Sequence, residues 1–295
     1  MRISEASVLE IYLKNLGNSR RRWSELNRQV SSGKKLQRPS DGPVGSARVV
    51  RIRDEMSTIN QYLRNISNAR TRLGTAGEAL NSMRNSINMV AERAAYGLTG
   101  TISQENRIAI ANDIRGALEG IVQTARMTVD GKYIFSGTAI QTDPLAEDSG
   151  TFTYQGNESP LKVEIGRNME IQVSVVGSET FIKPGTDLVN AVSTLADQLE
   201  AGDLDGARVT LENIQNAALL IDATRFRVTE GLRRAEETQK LHNDRLFQLT
   251  SEISNLEDVN MATAISQMSQ AEIALRAALG AGARIHQQNL FDYLG

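Results

Sequence analysis

Apolar residues recur at alternating intervals of three and four along two long stretches of the chain. In the first, Val49, Ile52, Met56, Ile59, Leu63 and Ile66 form a seam; Arg70 interrupts it, and Leu73, Ala76, Leu80, Met83, Ile87 and Val90 carry it on. The second runs Leu211, Ile214, Ala218, Ile221, Arg225, Val228, Leu232, Ala235, Gln239, His242, Leu246, Leu249, Ile253 and Leu256. Only Arg225, Gln239 and His242 break its apolar character. A heptad sustained this far predicts coiled-coil or long-bundle packing, with a helix roughly 70 Å long at about 1.5 Å per residue. The prolines agree: Pro39, Pro43, Pro144, Pro160 and Pro184 leave both stretches uninterrupted, and an interior proline costs a helix about 3 kcal/mol.

A third helix is predicted between about Ser103 and Asp130, with Ile108, Ala111, Ile114, Leu118, Ile121 and Ala125 on one side. Ser103 suits its N-cap and Gly131 a left-handed C-cap. From Gly131 to Gly185 the pattern changes to short β-prone runs: Tyr133 to Phe135, Thr151 to Tyr154, Leu161 to Ile165 and Glu170 to Val176. Gly156-Asn157 and Gly166-Arg167-Asn168 read as turns between them. A short helix from Asp187 to Glu200 leads back to the second long one.

Each end carries an amphipathic helix of its own. Leu9, Leu16, Trp23 and Val30 are seven apart, with Tyr12 and Leu26 between, and the run stops at Ser31-Ser32-Gly33. Pro39, Gly42, Pro43 and Gly45 then break the chain, Pro43 suiting the first turn of the next helix. At the other end Met261, Ala264, Met268, Ala271, Leu275, Ala278, Gly282 and Ile285 repeat the pattern with small residues that admit close approach. Such helices gain their stability by burying the stripe. They either pack on the long helices, or pair with each other and with copies from neighbouring molecules.

The whole reads as mainly α with a β-rich insert: a long antiparallel helical bundle rod, terminal coiled-coil helices and a small β domain at the tip. The expected division is residues 1–43 and 259–295 as the terminal helices, 44–130 and 186–258 as the rod, and 131–185 as the β-rich insert.

Composition removes most chemistry. The 295 residues include no cysteine and two histidines, which excludes disulfides, thiolate metal sites and thiol nucleophiles. His242 sits on a heptad seam and reads as a packed side chain, and His286 has no serine or acid pattern around it. No phosphate-binding glycine loop, H-E-x-x-H pair or EF-hand ladder occurs, and Gly280-Ala281-Gly282 lies in a helical pattern with no preceding strand. Asp203 and Asp205, near Glu200, read as a solvated loop. No enzyme, cofactor or metal is expected. The longest apolar run, Ala217 to Ile221, is five residues, against roughly 20 for a membrane span, and the amino terminus has no secretory h-region. Neither membrane nor nucleic acid is expected as a partner: Arg20-Arg21-Arg22 is basic, but only Trp23 supplies an aromatic neighbour. Charge is uneven under a net of -2: through Arg72 there are 15 basic and 6 acidic residues, against 18 and 29 beyond. Attraction between such regions across subunit contacts makes assembly salt-sensitive.

SSGKKLQRPSDGPVGSA at residues 31–47 resembles the hallmark of the flagellin superfamily, and its proline-flanked form is similar to the hook–filament junction branch. GKYIFSGT at 131–138, ENRIAIANDI at 105–114 and the ending from Leu256 add to the likeness. Two departures stand out: that branch commonly has a second Asp where Gly42 stands, and often an acidic residue where Asn260 stands. The resemblance implies a subunit exported unfolded through the flagellar channel, with a flagellar export chaperone as a partner. It would be added at the hook's distal end, between the other junction protein and the first flagellin subunits, alongside copies of itself. It implies localisation outside the cell, on the flagellum. The residues expected to carry assembly are Leu9, Leu16, Trp23, Leu26 and Val30 at one end, and Met261, Met268, Leu275, Leu279 and Ile285 at the other. The rival readings are a flagellin-like filament subunit and a secreted coiled-coil scaffold.

Overall fold

The computed structural model describes residues 5–183 and 186–294, and side chains at 7, 9–183 and 186–283. Chain packing divides the protein into two compact units: residues up to Ser57 with those from Arg245 on, and residues Thr58–Asp244. The long seams become single helices, α2 over Pro43–Gly97 and α6 over Leu204–Glu257. At about 1.5 Å per residue each is roughly 80 Å long. α1 covers Glu5–Ser32 and α7 covers Met261–Leu294.

In the larger unit α2 and α6 run antiparallel. Arg84 pairs with Asp222 at 3.1 Å and Arg70 with Glu236 at 3.3 Å. Leu73 packs so closely on α6 that a Cβ on Gly231 would lie 3.2 Å from its Cδ1. Where the apolar pattern falters, small residues one position earlier take the buried place: Ala69 for Arg70, Thr224 for Arg225 and Thr238 for Gln239. A straight helix drifts about 20° per heptad, so the neighbouring position turns inward while the polar side chain reaches the flank. Arg225 there pairs with Asp222, and Gln239 accepts from Arg70.

α3 (Gln104–Ala125) and α5 (Leu188–Ala201) complete the helical core. Ser103 caps α3 by accepting from the Asn106 amide, and Asp187 caps α5 by accepting from Asn190. Gly202 ends α5 in the left-handed conformation at φ 76°. Asp203 then accepts from the Gly206 amide at 3.0 Å, and Asp205 lies within the first turn of α6. The expected loop is thus one tight corner, with both carboxylates serving the N-terminus of the next helix.

The predicted end of α3 is corrected. The helix stops at Ala125, where the Arg126 side chain turns away to Asp143 and the Leu145 carbonyl. Gly131 is not its cap. The β-branched pair Thr128-Val129 forms β1, and Asp130-Gly131, with φ of 52° and 70°, makes the two-residue turn to β2 (Lys132–Tyr133). Positive φ at both central residues is the primed turn whose twist matches a hairpin.

Three more antiparallel hairpins follow: β3 (Leu145–Asp148) with β4 (Thr151–Tyr154), β5 (Lys162–Gly166) with β6 (Met169–Gln172), and β7 (Ile182–Lys183) with β8 (Thr186–Asp187). A single turn of helix, α4 (Gly177–Thr180), precedes the last. The hairpins do not merge into one sheet, so helices and local contacts must hold them. Asn190 on α5 exchanges two 2.8 Å hydrogen bonds with the Phe152 backbone. His242 donates through Nε2 to the Ile165 carbonyl at 2.7 Å and stacks on Tyr62. Both contacts pack His242 against its neighbours. Phe135 and Phe181 meet edge to face, both fully buried, among Ile134, Leu145 and Ile165.

Candidate assembly interface

Within the smaller unit α1 and α7 pack antiparallel. The Tyr12 hydroxyl donates to the Ala278 carbonyl at 3.0 Å, and a Cβ on Gly282 would overlap that ring. At the other end Lys34 and Asp258 form an antiparallel bridge. The inward line on α1 is Tyr12, Ser19 and Leu26, and on α7 Ala264, Ala271 and Ala278, each set seven residues apart. Leu26, Ala264 and Ala271 are buried. Alanine and glycine on α7 let the larger α1 side chains lie against its backbone.

The expected assembly residues fall on a gradient around this line. Leu26 is buried between the two helices, while Leu16, Trp23, Val30, Met268 and Leu275 are half-buried beside it. Leu9, Met261 and Leu279 are exposed at 47%, 42% and 53%. Ile285 lies outside the residues whose side chains are described. At about 100° per residue, Leu9 and Leu13 on α1, and Met261, Ile265 and Leu279 on α7, stand about 80–120° from the inward line in the same rotational sense. In an antiparallel pair that shared sense puts both sets on one side. The pair therefore displays an apolar flank, graded into its own seam, while exposed Ile11 and Ile273 lie off it. Leu13 and Ile265, both exposed, were missed by a seven-residue reading because they follow Leu9 and Met261 by four. An i, i+4 scan flanking the seam would have found them.

On the same pair, Ser19, Arg22, Gln267 and Gln270 line a polar groove of about 260 Å³. Arg21 donates to Asn18, whereas Arg20 and Arg22 make no ion pair among the described residues.

The break after α1 is built around Gly33 and Asp41. Gly33 ends the helix at φ 71°, a conformation that favours glycine. Asp41 accepts from the Arg38 and Gln37 amides at 2.9 and 3.1 Å and faces Arg28 at 3.5 Å. The Arg38 and Gln37 hydrogen bonds, aided by Arg28, hold its pKa below the ordinary carboxylate value of 3.8. Leu36 folds over this turn: a Cβ on Gly42 would come within 2.9 Å of its Cδ2, and one on Gly45 within 2.8 Å of its Cδ1. An Asp at position 42 would have to displace the Leu36 side chain, whose Cδ2 occupies the space its Cβ would need.

No cluster of three or more metal-ligating side chains occurs among the described residues, and no described helix is long and apolar enough to cross a membrane.

Residues 3–140 match the bacterial flagellin N-terminal helical region. Flagellar hook-associated protein 3 of Escherichia coli K12 aligns at 24% identity over 319 residues, covering 99% of both chains. Its Salmonella typhimurium counterpart aligns at 23%, again over 99% of each. A putative flagellar hook-associated protein from Vibrio parahaemolyticus superposes with a TM-score of 0.67 at 18% identity, covering 74% of this chain and 100% of that one. FlgL from Bacillus cereus gives 0.61 at 18% identity, covering 69% and 99%. At these identities the superpositions establish the fold.

Proposed function

We propose, from a chain whose resemblance to the hook-associated protein 3 family of the flagellin superfamily extends from end to end, that this protein is a structural adaptor of the bacterial flagellum. It joins the hook, through the other junction protein, to the flagellin filament. It leaves the cell unfolded with an export chaperone and assembles with copies of itself through its terminal helices. Residues 1–43 and 259–295 form the inner assembly domain, 44–130 and 186–258 the surrounding helical wall, and 131–185 the outward β-rich part. No step in this role calls for a catalytic group.

The observation that carries the reading is the apolar flank of the α1–α7 pair. A helix pair that buries its small-residue seam yet leaves Leu9, Leu13, Ile265 and Leu279 exposed on one side has a surface to offer. A second copy presents the same chemistry and buries it without a new partner type. Cells lacking this chain should build hooks, shed flagellin into the medium and grow no filaments, and restoring the chain should restore filaments. Filament growth without it would overturn the adaptor role.

The flagellin-region match over residues 3–140 also favours a second reading, a filament subunit. That reading requires the protein along the whole filament, in large excess over any junction component.

A further inference from the structure

Glu257 is the one charged side chain that is buried among the described residues, at 5% exposure. Its carboxylate accepts from Lys34 Nζ at 2.7 Å and from Arg53 Nη2 at 2.6 Å, one cation on each oxygen. Its own carbonyl accepts from the Lys35 amide at 2.6 Å, and Val259 N donates to the Gly33 carbonyl at 2.9 Å. The Lys35 side chain reaches the Asn255 carbonyl at 2.8 Å. Three segments of the smaller unit therefore meet at this carboxylate: the residues that follow α1, the first part of α2 and the end of α6, with Val259, just before α7, bonded beside it. Both breaks, at Gly33 and at Asp258–Asn260, are tied here.

We infer that Glu257 is a positioning residue, an electrostatic latch that fixes the exit of α1 and α7 from the helices they follow and so keeps the terminal pair in register. A carboxylate removed from water is stable only while its cations stay in place, and losing one partner leaves the charge uncompensated. Yet Lys34 and Arg53 keep about half of their side chains exposed, at 43% and 56%, so salt reaches the cationic half of the latch. This couples a buried, geometry-setting anion to cations that can let go. Beside the backbone bonds and the Lys35 contact, one other ion pair among the described residues joins a residue of α1 to the chain that follows. The Arg28–Asp41 contact holds only the turn between α1 and α2. The consequence for incorporation rests on the assembly reading above; the latch itself does not.

The test is hydrogen exchange on the full-length chain, comparing the native protein with Glu257→Gln and, separately, Arg53→Met. The expected result is at least tenfold faster exchange in α1 and α7 for both variants, with residues 58–244 unchanged. In the native protein exchange in α1 and α7 should rise with added salt, and in Glu257→Gln that dependence should vanish. Unchanged exchange in both variants, acceleration spread equally through residues 58–244, or a salt response that survives Glu257→Gln would each overturn the latch. Loss of register with undiminished incorporation into flagella would leave the latch standing and overturn the assembly reading beneath it.

Discussion

Replacing Leu279 with Asp separates what the α1–α7 pair needs for itself from what it offers to a neighbour. Leu279 is 53% exposed on α7. Full burial of a leucine stabilises by about 1.5–3 kcal/mol, so the half already covered in the single chain is worth roughly 1 kcal/mol. Aspartate at this exposed position keeps its water, and the folded monomer should lose no more than about that amount. In an assembled layer the balance changes. The exposed half of the leucine contributes roughly another 1 kcal/mol when a second copy covers it, and a carboxylate left there adds a desolvation cost of several kcal/mol unless it is paired. A combined loss of about 3 kcal/mol is more than a hundredfold in partitioning, at about 1.4 kcal/mol per tenfold. With Leu279→Asp and the native chain made in equal amounts in one cell, mass spectrometry of isolated flagella should find fewer than about one variant per hundred native copies. Circular dichroism of the purified variant should retain native helicity. A ratio near one to one would refute the reasoning, because the flank would then face water in the assembled state. A variant that unfolds would refute it differently, by showing that Leu279 serves the monomer.

Three further outcomes follow from the same unit. Leu26→Ala should act on the single chain instead: the buried leucine leaves a cavity costing about 2–4 kcal/mol, read as faster hydrogen exchange confined to α1 and α7, and unaltered exchange there would contradict the packing. Because the Arg38 and Gln37 amides hold the Asp41 pKa below 3.8, the turn's contribution is complete above that value and is lost as pH falls through the lowered folded value. Amide exchange over residues 33–42, corrected for intrinsic rates, should therefore rise in acid in the native chain, and in Asp41→Asn should be raised at neutral pH without that acid rise. Gly42→Asp should expel Leu36 from its seat at a cost of about 1 kcal/mol or less, since Gly42 has extended backbone with φ −179° that any residue adopts. A crystal structure with Leu36 unmoved would contradict it.

The long helices were legible because their burial is periodic and, past Pro43 at the start of α2, proline is absent from them. What the pattern misjudged was which residue of each neighbouring pair turns inward. Thr224 and Thr238 are buried where the more regular spacing pointed to Arg225 and Gln239, since a threonine reads as polar and the drift of a straight helix is invisible residue by residue. β4 was readable from Thr151 to Tyr154, rich in β-branched and aromatic side chains, whereas its partner β3, Leu-Ala-Glu-Asp, has almost no intrinsic strand preference. Pairing across the Ser149-Gly150 turn holds β3 in place, with φ of 51° and 81° at those two residues. Gly131 carried a correct signal, positive φ, attached to the wrong element. At the candidate interface the seven-residue spacing found the seam and its small residues. It could not rank Leu26 against Leu9 or Leu279, because one helix in isolation does not say which side of its stripe the partner covers. Glu257 was silent in the sequence: nothing in Asn-Leu-Glu-Asp distinguishes a solvated carboxylate from one buried under Lys34 and Arg53.

Immunogold electron microscopy of intact flagella, with antibody raised against residues 131–185, tests the junction role most directly. Label confined to a narrow band at the distal end of the hook is the predicted result. Label along the entire filament would make the chain a flagellin, and flagella without label would contradict a flagellar structural role altogether.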